Sequence, residues 1–120
     1  MKRIAGCLAL ALGFSCALAF AQSNYPDKPI RILVGFSAGV APDITSRLFG
    51  EQFKNTLGHP FVIESKPGAF GILAIEDMAR SKPDGYTLMV GNVSTNAITP
   101  ILFKSKFQID FEKSVVPVSR

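Results

Sequence analysis

The stretch Gly35-Phe36-Ser37-Ala38-Gly39-Val40-Ala41-Pro42-Asp43 holds the residues of this chain best placed to do chemistry. It follows an apolar run, Ile30 to Val34, that reads as a short buried strand, and it leads into helical spacing from Pro42. Two glycines permit a sharp turn, and a proline early in a helix stands where no backbone donor is needed. Free amides and the positive end of a helix dipole then converge on the loop, which makes it a site for an anion. The same residues fit G-x-S-x-G, the nucleophile elbow of α/β-hydrolases, with Ser37 as nucleophile in the strand-turn-helix setting that motif needs. Against that reading stands the sole histidine, His59, beyond the far end of the first helix. A helix of about 15 residues is roughly 22 Å long, so Ser37 and His59 do not meet. The elbow also usually follows a central strand late in the sheet, and here it follows the first. Anion binding is the main reading, and a serine hydrolase using Ser37 is the alternative.

Other chemistries find little support. No G-x-G-x-x-G occurs, and no Gly-Lys-Thr or Gly-Lys-Ser follows Gly35 and Gly39, so nucleotide binding is not indicated. One histidine and singly spread acids offer no metal site, and no cofactor is expected. Asp43, in the first helical turn, has two open roles: closing the loop by a hydrogen bond, or contacting a ligand hydroxyl or amine. Phe36 and Phe70 either cap the core or wall an apolar part of a small ligand.

The elements that must position these residues form a repeating pattern. Ile30 to Val34, Phe61 to Ile63 and Thr87 to Val90 are short apolar runs, each followed by a glycine-containing loop and a helical stretch. Strand alternating with helix gives an α/β fold, a parallel sheet with flanking helices. The first helix is expected from about Pro42 to Leu57, burying Ile44, Leu48, Phe49, Phe53 and Leu57 on one side. A second spans about Gly71 to Arg80, and a third about Asn96 to Phe103, with Pro100 tolerable only near its start. Phe107 to Phe111 reads as an edge strand or as irregular. Val115 to Val118 reads as a strand beginning or in progress, and its abrupt end at Arg120 marks the chain as a fragment. With right-handed crossovers, the loops Phe36 to Ala41, Lys66 to Phe70 and Asn92 to Thr95 share one sheet edge. They offer Ser37, Asn92, Ser94, Thr95 and backbone amides, a binding edge of neutral donors without catalytic machinery.

Composition bounds the setting. Met1-Lys2-Arg3, the apolar run Ile4 to Ala19 and Ala19-Phe20-Ala21 read as a secretory signal over residues 1–21, cleaved after Ala21. Both cysteines, Cys7 and Cys16, fall within it. Residues 22–120 then form a partial α/β ligand-binding domain that must be held by its core alone. Without Lys2 and Arg3 the 13 basic residues become 11 against 9 acidic ones, scattered, which argues against nucleic acid.

Several segments in register carry a family likeness. Tyr25-Pro-Asp-Lys-Pro-Ile-Arg31, Gly35 to Asp43, Leu57-Gly58 with Pro60 to Glu64, Lys66-Pro-Gly-Ala69, Pro83 to Leu88 and Gly91-Asn-Val-Ser-Thr95 resemble the periplasmic receptors of the tripartite tricarboxylate transporters. The resemblance implies the first part of a two-domain, type II clamshell that binds a small carboxylate at its hinge. It further implies a monomer that delivers ligand to a membrane permease, and a truncated copy would do so weakly or not at all. By position, Phe36, Ser37, Ala38, Gly39, Val40 and Asp43 match the family's first binding loop. Ala69, Phe70 and Gly71 match the second, and Ser94 and Thr95 the third. Ser37 stands where the family usually has proline, Val40 where it has glycine, and Phe70-Gly71-Ile72 where Gly-Gly-Asn is common. These departures imply a smaller or more apolar pocket.

Overall fold

All three β-rich runs become strands. The computed structural model describes residues 25–119, so the signal segment, its cleavage site and both cysteines lie outside the described residues. Strands β1 (Ile30–Val34), β2 (Phe61–Ser65) and β3 (Thr87–Val90) form one parallel sheet in the order β2-β1-β3. Strand β2 runs two residues past the apolar run because Glu64 and Ser65 both find partners: Glu64 meets Arg31 on one face and Ser65 meets Asp43 on the other. Helix α1 (Ala41–Leu57) covers the face of Ile32, Phe61 and Ile63, and helix α2 (Ile72–Arg80) covers the face of Arg31 and Leu33. The middle strand is thus buried on both sides. Ile30, Ile32, Leu33 and Val34 form the core with Ile72, Ala74 and Ile75.

Helix α1 corrects the expected buried face. Its buried residues are Asp43, Ser46 and Gly50, whereas Ile44, Leu48, Phe49, Phe53 and Leu57 are all exposed. Leu48 sits about 200° around the helix from Ser46, so it points away from the sheet. Phe53 lies on the sheet side and contacts the Phe61 ring at 5.4 Å, yet remains half-exposed at the sheet margin. Gly50 is the reason small residues face inward. A Cβ there would lie 3.3 Å from Phe61 Cβ and 3.4 Å from Ile63 Cδ1, so the strand side chains already fill the gap. The helix ends at Gly58, whose left-handed φ of 75° turns its amide onto Lys54 O.

After β3 the chain departs from the expected third helix. A wide π-turn at Ser94–Ile98 leads into α3 (Thr99–Leu102), and the Thr99 amide reaches back five residues to Ser94 O. Pro100 explains this, because it has no N–H for the Asn96 carbonyl and its ring crowds the normal turn. A 3₁₀ turn at Lys104–Lys106 follows, then an irregular stretch in place of an edge strand, and α4 (Phe111–Ser114). Residues 115–119 form no strand, contrary to expectation. Val116 and Val118 are about four-fifths exposed, and Pro117 removes a ladder donor. The irregular stretch before α4 is fastened to α2, where the Gln108 amide donates to Glu76 Oε1 at 2.8 Å and Arg80 Nη2 to Gln108 Oε1 at 2.6 Å.

Candidate ligand-binding edge

Parallel strands bring the loops at their carboxyl ends together, as the sequence implies. Connections from β1 to β2 and from β2 to β3 lie on opposite faces, so β1 and β3 are neighbours whose following loops diverge. That switch point is where ligands sit in open α/β sheets. At the centre, backbones meet closely. A Cβ on Gly35 would come within 3.1 Å of Gly71 Cα, and one on Gly71 within 2.8 Å of Thr95 Cγ2. Gly71 also holds φ 88°, so only glycine suits the junction of the three loops.

The first loop is tied shut by Asp43. Its Oδ2 accepts from the Gly39 amide at 2.9 Å and Arg47 Nε at 3.0 Å, while Oδ1 accepts from Ser65 Oγ at 2.8 Å and Arg47 Nη2 at 3.0 Å. The Arg47 guanidinium first, and then the Gly39 amide, holds this carboxyl well below the usual carboxylate range. Of the two roles open to Asp43, loop closure is the one its contacts fill. The loop's own acid therefore occupies part of the donor set expected for an outside anion. Phe36 is half-buried, and Ser37, Ala38, Gly39 and Val40 are exposed.

The second and third loops divide in the same way. Ala69 and Phe70 take left-handed φ values of 46° and 56°, and Phe70 remains exposed. Thr95 is fully buried, and its hydroxyl and amide exchange hydrogen bonds with Asn92: Asn92 N–H to Thr95 Oγ1 at 2.9 Å and Thr95 N–H to Asn92 Oδ1 at 3.1 Å. Thr95 thus builds the loop, while Ser94 beside it is half-exposed. Asn92, expected at this edge, instead braces its own loop, and Ser65, Thr99 and Phe103, which were not among the expected site residues, support these loops. The Asn-x-x-Thr spacing at 92–95 is a readable signal for the reciprocal bonds.

A separate network lies under α2. Arg31 Nε donates to Glu64 Oε2 at 2.6 Å and its Nη2 to Asp77 Oδ2 at 2.7 Å, while Lys66 Nζ bridges Asp77 and Glu64. Lys66 lowers the Asp77 carboxyl and Arg31 lowers that of Glu64. A shallow groove of about 430 Å³ adjoins it, lined by Lys66, Pro67, Leu73, Glu76, Asp77 and Arg80. That groove does not coincide with the loop edge, and its cations are already paired. Among the described residues, no group of three or more His, Cys, Asp or Glu could hold a metal ion, and no helix is long and apolar enough to cross a membrane.

A parallel sheet with a helix on each face and three backbone-rich loops at its switch point has the architecture of an open α/β domain that carries its site at the strand ends. Residues 45–120 match the family described as tripartite tricarboxylate transporter family receptor, and the chain belongs to that family. It is 33% identical over 120 residues to a UPF0065 protein of Bordetella pertussis, covering 99% of this chain and 36% of that protein. To a UPF0065 protein of Bordetella bronchiseptica it is 36% identical over 108 residues, covering 90% of this chain and 32% of that one. Among solved structures, it resembles MatC from Rhodopseudomonas palustris with bound malate, at TM-score 0.71 and 35% identity over 78% of this chain and 32% of that chain. A periplasmic transporter matches at TM-score 0.68 and 41% identity, over 72% of this chain and 29% of that chain. An R. palustris protein with adipate matches at TM-score 0.59 and 29% identity, over 61% of this chain and 24% of that chain. The chain spans about a third of the length of the curated relatives it matches.

Proposed function

We propose that this chain supplies one wall of a periplasmic receptor for a small carboxylate and acts as a binder, with no catalytic step. The observation that carries this is the meeting of Gly35, Gly71 and Thr95, which sets three loops of exposed backbone and neutral side chains side by side at the switch point. Relatives solved with malate and adipate support the ligand class. In this reading Phe36, Ser37, Ala38, Gly39, Val40, Ala69, Phe70, Gly71 and Ser94 face the ligand. Asp43 and Thr95 shape the loops that hold it. The segment 1–21 directs export across the inner membrane and is cleaved after Ala21, and residues 22–120 act as a monomer that forms part of the first lobe of a two-lobed clamshell. The ligand then passes to the permease subunits of a tripartite transporter.

An amide-resolved NMR titration with malate and adipate tests the reading. The expected result is millimolar binding with shifts confined to residues 36–40, 69–71 and 94–95. Shifts centred on the Lys66–Arg80 groove, or none at saturating ligand, would sink it. Ester hydrolysis that disappears in Ser37→Ala would establish the hydrolase instead; the 17-residue α1 separating Ser37 from His59 speaks against it.

A further inference from the structure

The second loop holds a conformation its residues disfavour. Phe70 at φ 56° and Ala69 at φ 46° occupy the left-handed region, where a bulky side chain is out of place. Two contacts from the segment after β3 keep the turn there. Phe103 stacks on Phe70 with ring centroids 5.0 Å apart and planes 15° off parallel, and Thr99 Oγ1 donates to Phe70 O at 3.0 Å. Thr99 and Phe103 lie one helical turn apart, so a single short stretch grips both the ring and the backbone of Phe70. Phe70 nonetheless stays 68% exposed as a residue. One face is covered and the other is open, one residue from the point where Gly71 meets Gly35 and Thr95.

Charge narrows what that open face would meet. The loops Phe36 to Val40, Ala69 to Gly71 and Asn92 to Thr95 contain no Lys or Arg. Beside these loops, Arg47 pairs with Asp43 and Lys66 with Asp77 and Glu64. The three loops themselves therefore offer neutral donors for one carboxylate and no cation of their own for a second.

We infer that the Phe70–Phe103 pair is the specificity-determining wall of the site and selects a carboxylate with a flat apolar body, an aromatic monocarboxylate, over a hydroxylated dicarboxylate. The inference rests on the receptor reading above and names its substrate class. Phe70 contacts the ligand ring by stacking, and Phe103 is a positioning residue that acts through it. A stacked aromatic contact at this separation is worth a roughly two- to tenfold gain in affinity.

The test titrates the chain with benzoate, acetate and malate, following both loop amides and phenylalanine ring protons by NMR. Benzoate is expected to shift the Phe70 ring protons and to bind roughly two- to tenfold more tightly than acetate. Phe70→Gly suits the left-handed turn and keeps it folded, so it should erase the advantage of benzoate over acetate. Phe103→Leu keeps apolar bulk but no flat stack, and should reduce the advantage in part. If acetate and malate move the loop amides but benzoate gains nothing, or malate binds more tightly than benzoate, the aromatic wall is wrong and the receptor reading stands. If none of the three moves the loop amides, the receptor reading fails and this inference falls with it.

Discussion

Single residues set the shape of the loop edge, and Asp43 does so most directly. A buried carboxylate accepting four hydrogen bonds is held in its charged form, with its proton affinity pushed down by Arg47, the Gly39 amide and Ser65. A carboxyl depressed by folding stabilises the fold above its ordinary value, about pH 4, and that contribution is lost as pH falls toward the folded value. Glu64 and Asp77, lowered by Arg31 and Lys66, act in the same direction. The melting temperature should therefore fall steadily below about pH 4. Asp43→Asn should lower it by several degrees at neutral pH and make the acid decline shallower, as read by thermal melts across pH. A variant curve parallel to wild type at every pH would show that Asp43 contributes nothing through its charge. The same residue explains why the loop could not be fully read in advance. An acid in a first helical turn announces interaction with the dipole, but only the fold brings Ser65, 22 residues on, to its second oxygen.

At the level of elements, strands were legible and helix faces were not. Ile30–Val34 appears where its apolar run places it, because a strand buried on both faces has few other solutions, and Thr87–Val90 pairs along its free edge. Helix α1 misled because apolar residues run along more than one side of it. Nothing in its periodicity says that Ser46 and Gly50, rather than Leu48, meet the sheet. That choice is made by Phe61 and Ile63, whose bulk demands small residues opposite. The strained Ala69–Phe70 turn and the π-turn were likewise hidden, although Pro100 marks where the normal helix fails. Paired substitutions check the assignment. Leu48→Lys should change stability by no more than about 0.5 kcal/mol, as expected for an outward position. Leu33→Ala, in the fully buried middle strand, should cost roughly 2–5 kcal/mol. Urea melts of both variants measure this, and a large loss at Leu48 would restore the apolar stripe as the buried face.

Across the whole molecule, the balance between a small core and an open edge governs how tightly a ligand can be held. A receptor that binds at micromolar strength gains about 8 kcal/mol, and a wall supplying half of that would bind only near millimolar. At about 100 μM ligand a millimolar site stabilises the fold by less than about 0.1 kcal/mol, too little to move a melt, whereas about 20 mM adds nearly 2 kcal/mol. Thermal melts with malate and adipate should therefore be flat at the lower concentration and rise by several degrees at the higher one, against sodium chloride of equal ionic strength. The control separates binding from screening of the Arg31–Glu64–Lys66–Asp77 network, which salt weakens regardless of the anion. A rise at the lower concentration would mean that the three loops at the β1–β3 switch point hold a carboxylate unaided. The donors around Gly71 would then be already in place, and a second wall would contribute selectivity and release rather than affinity.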